Sequence, residues 1–291
     1  MNNVSTQPEI ALPPIPSRQG EWGRVWRGMT SPVYLLVALF VLIAIFAPVL
    51  ATHDPIFPNP ANKLKPPSLE HWFGTDSFGM DVYSRILYAT RTDFSVALAS
   101  IALAVLIGVP LGAVAGYIGG FIDDILTRLV EIIQSFPLFL FAMVIFAAVG
   151  SNTFNLIAII AFVNIPIYLK LVRSVVLPLK SADFVLAARC AGNSTPSLIL
   201  HHILPNALGP VFAQFSLSCA YAIQIVAGLS FIGLGVKVPH PEWGSMIQLG
   251  ASHIVFGKWW PSVFPGLAVF LAIFTLNRLG HHIRDFYTRE A

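Results

Sequence analysis

The amino-acid sequence predicts an all-α membrane protein with six transmembrane helices and both termini on the cytoplasmic side. Of its 291 residues, 56% are hydrophobic and only 11% are charged, whereas soluble domains carry about 25% charged residues. Several uncharged runs also reach the roughly 17–25 residues that a helix needs to cross the hydrocarbon core. A lipid-facing surface explains both observations, because it needs no charge to stay hydrated.

The uncharged runs place the six spans along the chain. Four runs predict one crossing each: Val33–Leu50, Phe94–Tyr117, Leu208–Phe231 and Trp259–Asn277. The run Ile132–Leu169 is too long for one crossing and suits two, separated by a polar hairpin at Gly150–Thr153. Pro137 lies near the start of the first of these two, which is the third span.

The distribution of Lys and Arg predicts the orientation. With the N-terminus inside, the inside segments hold 11 of the 17 Lys and Arg residues, as the positive-inside rule expects. The six-span domain then covers residues 31–291, with outside loops at 51–93 and 233–258 and an inside loop at 170–206. Residues 1–30 form a cytoplasmic tail, in which Trp22 and Trp26 mark either an interfacial helix or a disordered segment. The tail lacks a signal-peptide pattern, so we expect the first span to remain as an anchor.

The outside loops have the composition of packed caps. Thr75 or Asp76 is predicted to cap a short helix, and Asp81 and Arg85 are spaced to form an ion pair. The alternative for Asp76 and Asp81 is a metal or acid–base site, but the sequence joins no His or Cys cluster to them. In the second outside loop, His240 and Glu242 are predicted to form a polar pair rather than a metal site.

The inside loop predicts two short helices. Ser181 or Asp183 is placed to cap the first, which Gly192 ends. The second starts near Pro196 and leads into the fifth span. This hairpin is either a docking surface for another protein or a surface feature without a partner.

Three segments resemble the ABC importer permeases. The family's inside loop reads Glu-Ala-Ala, three residues, Gly and then a downstream Leu-Pro, and Ala187-Ala188, Gly192 and Leu204-Pro205 match it. The remaining matches are similar to the dipeptide/oligopeptide/nickel branch, and within it to the C-type permease subunit: Phe73–Asp76, Gly79–Asp81, Ser84-Arg85, Leu229–Gly235 and Glu242–Gly244. Leu186 stands where the family has Glu, and Met80 stands where it has Arg.

The resemblance implies a type I ABC importer permease fold in the bacterial plasma (inner) membrane. It implies ATP-driven import of peptides or a related small solute, through a pathway shared with a second, homologous permease subunit. Two ATPase subunits and an extracytoplasmic solute-binding protein would complete the assembly. The residues implied to dock on an ATPase are Asp183, Phe184, Leu186, Ala187, Ala188, Arg189, Gly192, Leu204 and Pro205.

The chain itself is expected to bind no cofactor and to carry no catalytic or metal-ligating residues. It has no Gly-x-x-x-x-Gly-Lys-Ser/Thr loop, so ATP and Mg²⁺ belong on the partner subunits. Its Lys and Arg residues are scattered, which argues against nucleic-acid binding; its other partner is membrane lipid. Gly108, Gly112 and Gly116 are spaced by four and predict close helix packing.

Two other functional classes fit the sequence less well. A stand-alone secondary transporter usually has ionisable residues within its spans, and the predicted spans contain no Asp, Glu, Lys or Arg. A membrane enzyme needs a nucleophile–base or metal cluster at membrane depth, and none is evident. The polar residues within the spans, Asn164, Gln214 and Gln224, either line a pathway or hydrogen-bond to neighbouring helices, and we favour the second interpretation.

Overall fold

A computed structural model describes residues 32–150 and 152–290, with side chains up to residue 287. The predicted tail of residues 1–30, with Trp22 and Trp26, lies outside the described residues. The described chain folds into α-helices joined by loops and short helical turns. Five of its helices are long and apolar enough to cross a membrane, and a sixth crossing arises if one bent helix pair counts as a span.

The first two helices include the predicted spans and extend one of them. Helix α1 is Pro32–Leu50 and coincides with the first predicted span. Helix α2 is Val82–Ile118 and begins well before the predicted Phe94. The earlier start follows from Asp81, whose side chain accepts a hydrogen bond from the backbone N–H of Ser84 and so caps the helix.

The third predicted span is not one straight helix. Helix α3 (Gly120–Gln134) and helix α4 (Leu138–Val149) are joined at an 83° bend. Pro137 lies at this bend. The helix breaks there because proline cannot donate the hydrogen bond that a continuing helix needs. Helix α4 has 12 residues, a length of roughly 18 Å, which is too short to cross the membrane alone.

The remaining helices follow the polar breaks in the sequence. Gly150, with φ of +97°, and Asn152, which caps the next helix, form the predicted hairpin. The helices that follow are α5 (Thr153–Leu179), α6 (Asp183–Cys190), α7 (Leu204–Phe231), α8 (Trp243–Ala251) and α9 (Trp260–Glu290). A helical turn at Thr195–Ser197 and a π-helical segment at Leu198–Ile203 continue directly into α7.

Helix α2 is the centre of the bundle. It packs most extensively against α5 and also contacts α1 and α7, while α7 packs against α9. Three glycines of α2 face α5. A Cβ atom on Gly108 or Gly112 would lie 2.8 or 2.5 Å from a backbone oxygen of α5, and one on Gly116 would lie 2.9 Å from Val176 Cβ. Only glycine permits this approach.

Two of the three polar residues of the spans bond within their own helices. Asn164 Nδ2 donates to the carbonyl of Ile160 over 2.7 Å, and Gln214 Nε2 donates to Ser218 Oγ over 3.2 Å. Gln224 is exposed on the surface of the chain. We expected bonds to neighbouring helices, but the amide groups of Asn164 and Gln214 donate within their own helices.

Loops gather at the two ends of the bundle. Trp260 Nε1 donates to the carbonyl of Thr75, and Arg85 Nη1 donates to that of Pro239. Residues 51–81 and 232–259 therefore share one end, which we call the cap end. The α6 end holds residues 119–137 and 180–203, because Arg189 of α6 contacts Tyr117 near the end of α2.

Candidate functional site

The first helix of the predicted hairpin forms at the α6 end, but its cap differs, and the second is a helical turn and a π-helical segment that run directly into α7. Ala182 is the N-cap of α6 and makes no side-chain capping bond. Ser181 Oγ instead donates to the carbonyl of Pro178 over 3.0 Å, and Asp183 is already the first helical residue. The prediction of Ser181 or Asp183 as the cap is therefore wrong. At its actual position Asp183 still places its carboxylate at the positive end of the helix dipole.

Helix α6 has a buried side and an exposed side. Val185 and Ala188 are 1% and 9% exposed and pack inward. Phe184 and Leu186 are 44% and 43% exposed, and Ala187 is exposed beside them. We call Phe184, Leu186 and Ala187 the docking face, after the role that the resemblance implies for this loop. Ala188, which the resemblance groups with the docking residues, supports this face from behind rather than lying on it.

Gly192 ends α6 in a conformation that favours glycine. Its φ is +85°, and a Cβ atom there would meet nothing within 4 Å. Asn193 Nδ2 then donates to the carbonyl of Ala188 over 2.9 Å and closes the turn. After the π-helical segment, Leu204 is half-buried and Pro205 is exposed in the first turn of α7. These two residues therefore connect the hairpin to a long helix of the bundle.

Arg189 connects α6 to the central helix. Its Nη2 donates to the hydroxyl of Tyr117 over 2.9 Å, and its guanidinium lies 5.7 Å from the centroid of the Tyr117 ring. Tyr117 is only 8% exposed, so one end of this contact is fixed in the bundle. A charged hydrogen bond and a cation–π contact therefore link α6 to α2.

A second polar contact holds the bent helix pair at the same end. Arg173 of α5 bonds Asp123 of α3 through Nε at 2.5 Å and Nη2 at 2.7 Å. Lys170 Nζ donates to Gln134 Oε1 at the other end of α3. Sequence reasoning missed this contact. The sequence signal for this contact was Asp123, an acidic residue near the start of the amphipathic segment Gly120–Gln134.

The partners of the charged residues at the cap end differ from those predicted from the sequence. Asp81 Oδ2 accepts hydrogen bonds from the backbone N–H and the hydroxyl of Ser84, both at 2.8 Å. Arg85 Nε lies 3.4 Å from Asp76 Oδ2. The predicted Asp81–Arg85 pair is therefore wrong, and so is a helix capped by Thr75 or Asp76. The start of α2 takes the Asp81 carboxylate, which leaves Asp76 for Arg85.

Arg85 is buried and is shared by three segments. Its Nη1 donates to the carbonyls of Pro55 and Pro239 at 2.7 and 3.0 Å and lies 3.0 Å from Met80 Sδ. Met80, where the resemblance leads us to expect Arg, is 1% exposed. Burial raises the pKa of Asp76 even though the Arg85 charge opposes this effect. The arrangement fixes both loop segments of the cap end to α2.

Glu242 caps α8 and does not pair with His240. Its two carboxylate oxygens accept from the backbone N–H groups of Gly244 and Ser245 at 2.7 and 2.8 Å. Glu242 is fully buried, whereas His240 is exposed, so the predicted polar pair is wrong. Burial raises the pKa of the Glu242 carboxyl group, although the two N–H groups favour its ionised form.

Comparison with known proteins connects this architecture to transport. Residues 108–287 match the family model described as binding-protein-dependent transport system inner membrane component. The matched region contains α6, Gly192 and Leu204-Pro205. It also contains the three glycines that pack against α5.

Three relatives match most of the chain. The dipeptide transport system permease protein DppC of Alkalihalophilus pseudofirmus is 40% identical over 86% of this chain and 82% of its own length. The probable D,D-dipeptide transport system permease protein DdpC of Escherichia coli is 39% identical, over 92% and 91%. The glutathione transport system permease protein GsiD of Pectobacterium atrosepticum is 35% identical, over 91% and 89%.

The family match, the identities and the helical architecture agree. The resemblance found in the sequence is confirmed, and it extends over most of the chain. The chain is a multi-pass membrane protein and a transport component rather than an enzyme. It belongs to the family of binding-protein-dependent transport system inner membrane components and is a permease component of an ABC importer.

Proposed function

We propose that this chain is the C-type permease subunit of an importer for peptides in the bacterial inner membrane, with both termini cytoplasmic. The named solutes of its relatives, dipeptides, D,D-dipeptides and glutathione, are all short peptides or peptide derivatives, and they support this solute class. The orientation rests on the distribution of Lys and Arg. With this orientation, α6 lies on the cytoplasmic side, where ATPase subunits would reach it.

The observation that carries the proposal is the docking face. Phe184 and Leu186 expose apolar side chains on a short helix outside the long helices, where lipid does not explain them. An ATPase groove would cover them, and Leu186 would contribute apolar contact where other family members carry Glu. Leu204 and Pro205 would carry movement of the hairpin into α7.

The assembly would contain a second, homologous permease subunit, two ATPase subunits and an extracytoplasmic solute-binding protein. ATP and Mg²⁺ would bind the ATPases, and this chain would bind neither. Closure of the ATPases on ATP would move α6, and Arg189 would transmit that movement to α2 through Tyr117. This transmission requires the ATPases to bind one arrangement of the bundle more tightly than the other.

The experiment compares two exposed phenylalanines. Phe184 lies on α6, and Phe57, which is 75% exposed, lies at the cap end. In the complete complex, Phe184→Asp should release the ATPase subunits during purification and abolish ATP-dependent dipeptide uptake into proteoliposomes. Phe57→Asp should retain the ATPases. Retention of the ATPases and full uptake by Phe184→Asp would contradict the docking assignment.

The same proteoliposomes test the transport class and the solute. Uptake of labelled dipeptide should require ATP, the ATPases and the binding protein. Uptake without ATP, driven by an ion gradient, would identify a secondary transporter instead. If ATP-dependent uptake carried another small solute and not peptides, the peptide assignment alone would fail.

A further inference from the structure

Two histidines and a glutamate meet at the cap end. Each of His53, Glu70 and His71 offers one ligand atom, and these three atoms lie within 4.8 Å of one another. The two imidazole rings face each other with their centroids 4.5 Å apart. His53 lies just beyond the end of α1, and Glu70 and His71 lie further along the same loop, so folding of that loop brings the three side chains together.

Asp81 gives His71 the arrangement of a metal ligand. His71 Nδ1 lies 2.9 Å from Asp81 Oδ1, and in the tautomer with the proton on Nδ1 this nitrogen donates to the carboxylate. The Nε2 atom then presents its lone pair, and its 3.4 Å contact with Asn62 Nδ2 is long. Metal-bound histidines almost always donate their second ring N–H to a carboxylate, a carbonyl or water.

The surrounding hydrogen bonds hold both histidines in place. The backbone N–H of His71 donates to Ser68 Oγ, and that of His53 donates to Ser84 Oγ, both over 3.0 Å. His71 and Asp81 are 3% and 2% exposed. The His53 side chain is 35% exposed and Glu70 is exposed. The site thus combines a fixed buried ligand with two ligands that an ion can reach from solvent.

The donor set and charge fit a divalent transition metal ion. Two imidazoles and one carboxylate form a known zinc ligand set, with Zn–N distances of about 2.0–2.1 Å. Two ligand atoms of one ion are therefore at most about 4.2 Å apart, which small rotations of the exposed Glu70 and His53 side chains would achieve. The Glu70 and Asp81 carboxylates together balance a charge of two.

We propose that His53, Glu70 and His71 bind a Zn²⁺-type divalent cation, with Asp81 positioning His71. The bound ion joins His53, just after α1, to Glu70 and His71 in the loop that precedes α2. Asp81 connects this site to α2, because its side chain also caps that helix. The fourth position is open to water. This site is separate from the docking face, which lies at the opposite end of the bundle.

The test uses the complete importer complex, purified without a histidine tag and stripped of metal with EDTA. Zn²⁺ is titrated by calorimetry, and bound zinc is counted by elemental analysis. After the titration, the wild-type complex should bind one more zinc ion per copy of this chain than the complex with the double variant His53→Gln and Glu70→Gln. The double substitution should weaken binding at this site at least tenfold, and dipeptide uptake should persist as a check on folding.

His201→Gln is the matched control, because His201 is exposed at the α6 end. It should leave the zinc count and the affinity unchanged. Equal zinc binding by wild type and the double variant overturns the site, and so does the absence of zinc binding by either. An equal loss in His201→Gln would show non-specific binding to surface histidines and overturns it as well.

Discussion

Arg189 of α6 donates a hydrogen bond to the hydroxyl of Tyr117 in α2 over 2.9 Å. The same guanidinium lies over the Tyr117 ring. The contact joins the helix that carries the docking face to the helix at the centre of the bundle. Arg189 occupies a position in the family's loop pattern, yet the pattern alone does not show which helix it contacts.

Tyr117→Phe should weaken coupling while leaving the subunits assembled. The substitution removes the hydroxyl acceptor but keeps the ring under the guanidinium. Loss of a hydrogen bond of about 1 kcal/mol should lower dipeptide uptake per ATP hydrolysed by roughly fivefold. Uptake and ATP hydrolysis are measured in the same proteoliposomes. Tyr83→Phe, at the cap end, is the control, and an unchanged ratio in Tyr117→Phe would show that this contact transmits nothing.

Gly192 tests whether backbone conformation or bulk matters at the end of α6. Because its φ is +85° and a Cβ would find open space, strain rather than collision should decide the outcome. Gly192→Val should insert normally but lose most dipeptide uptake, since a β-branched residue is disfavoured at positive φ.

Gly192→Asn should retain most uptake, because Asn adopts left-handed conformations more readily. Membrane insertion is checked by fractionation, and uptake is measured in proteoliposomes. Equal activity of the Val and Asn variants would show that the turn at Gly192 does not depend on a positive φ.

Gly112 tests the contact between α2 and α5. A Cβ at this position would lie 2.5 Å from the backbone oxygen of Leu169, so Gly112→Ala should separate the helices and lower the melting temperature of the purified complex. Gly266→Ala in α9 is the control, because a Cβ there meets nothing within 4 Å. It should be neutral or stabilise by up to about 1 kcal/mol. Equal melting temperatures would argue against this packing.

Met80→Arg should destabilise the cap, although Arg is the residue that the resemblance leads us to expect at this position. Met80 is 1% exposed, and its sulfur lies 3.0 Å from Arg85 Nη1. A second buried cation without a partner should cost about 3–5 kcal/mol. Thermal unfolding of the complex measures the loss, and Met80→Leu should change it little. A stable Met80→Arg protein would mean that this side chain can turn to solvent.

Glu242 should make the cap less stable as the pH rises. Burial raises its folded-state pKa above the ordinary 4.5, so the folded protein binds this proton more tightly than the unfolded chain. The stabilisation that comes from this tighter proton binding is fully present below pH 4.5, and it is lost as the pH rises through the folded-state pKa of Glu242. The Asp93 carboxyl group lies beside Glu242 and contributes to the same pH dependence, so Glu242→Gln should flatten the profile rather than abolish its slope. Melting temperatures of both proteins between pH 4 and 8 provide the test, and parallel profiles would contradict it.

The sequence indicated the long helices well, because lipid-facing helices need uncharged runs of a defined length. It could not show that Pro137 turns the third span into a bent pair, since proline is compatible with either a kink or a break. Spacing also suggested the wrong partner for Arg85. Asp81 lies four residues from Arg85, but its carboxylate bonds to the backbone N–H and the hydroxyl of Ser84 and to the ring of His71 instead.

The candidate site was only partly accessible to sequence reasoning. The resemblance indicated the loop, but the division of α6 into buried Val185 and Ala188 and exposed Phe184 and Leu186 depends on packing against the bundle. The proximity of His53 and His71 depends on the path of the first loop. Neither local pattern nor spacing contains these long-range contacts.

Site-specific crosslinking tests the central claim, that α6 docks on an ATPase. Cys190 is exposed and Cys219 is buried, so Cys190→Ser provides the background for Leu186→Cys. In the complete complex, a short thiol crosslinker should join Leu186→Cys to an ATPase subunit. Leu69→Cys, at the 98% exposed Leu69 of the cap end, should not form this product. An ATPase crosslink from Leu69→Cys and none from Leu186→Cys would contradict the account.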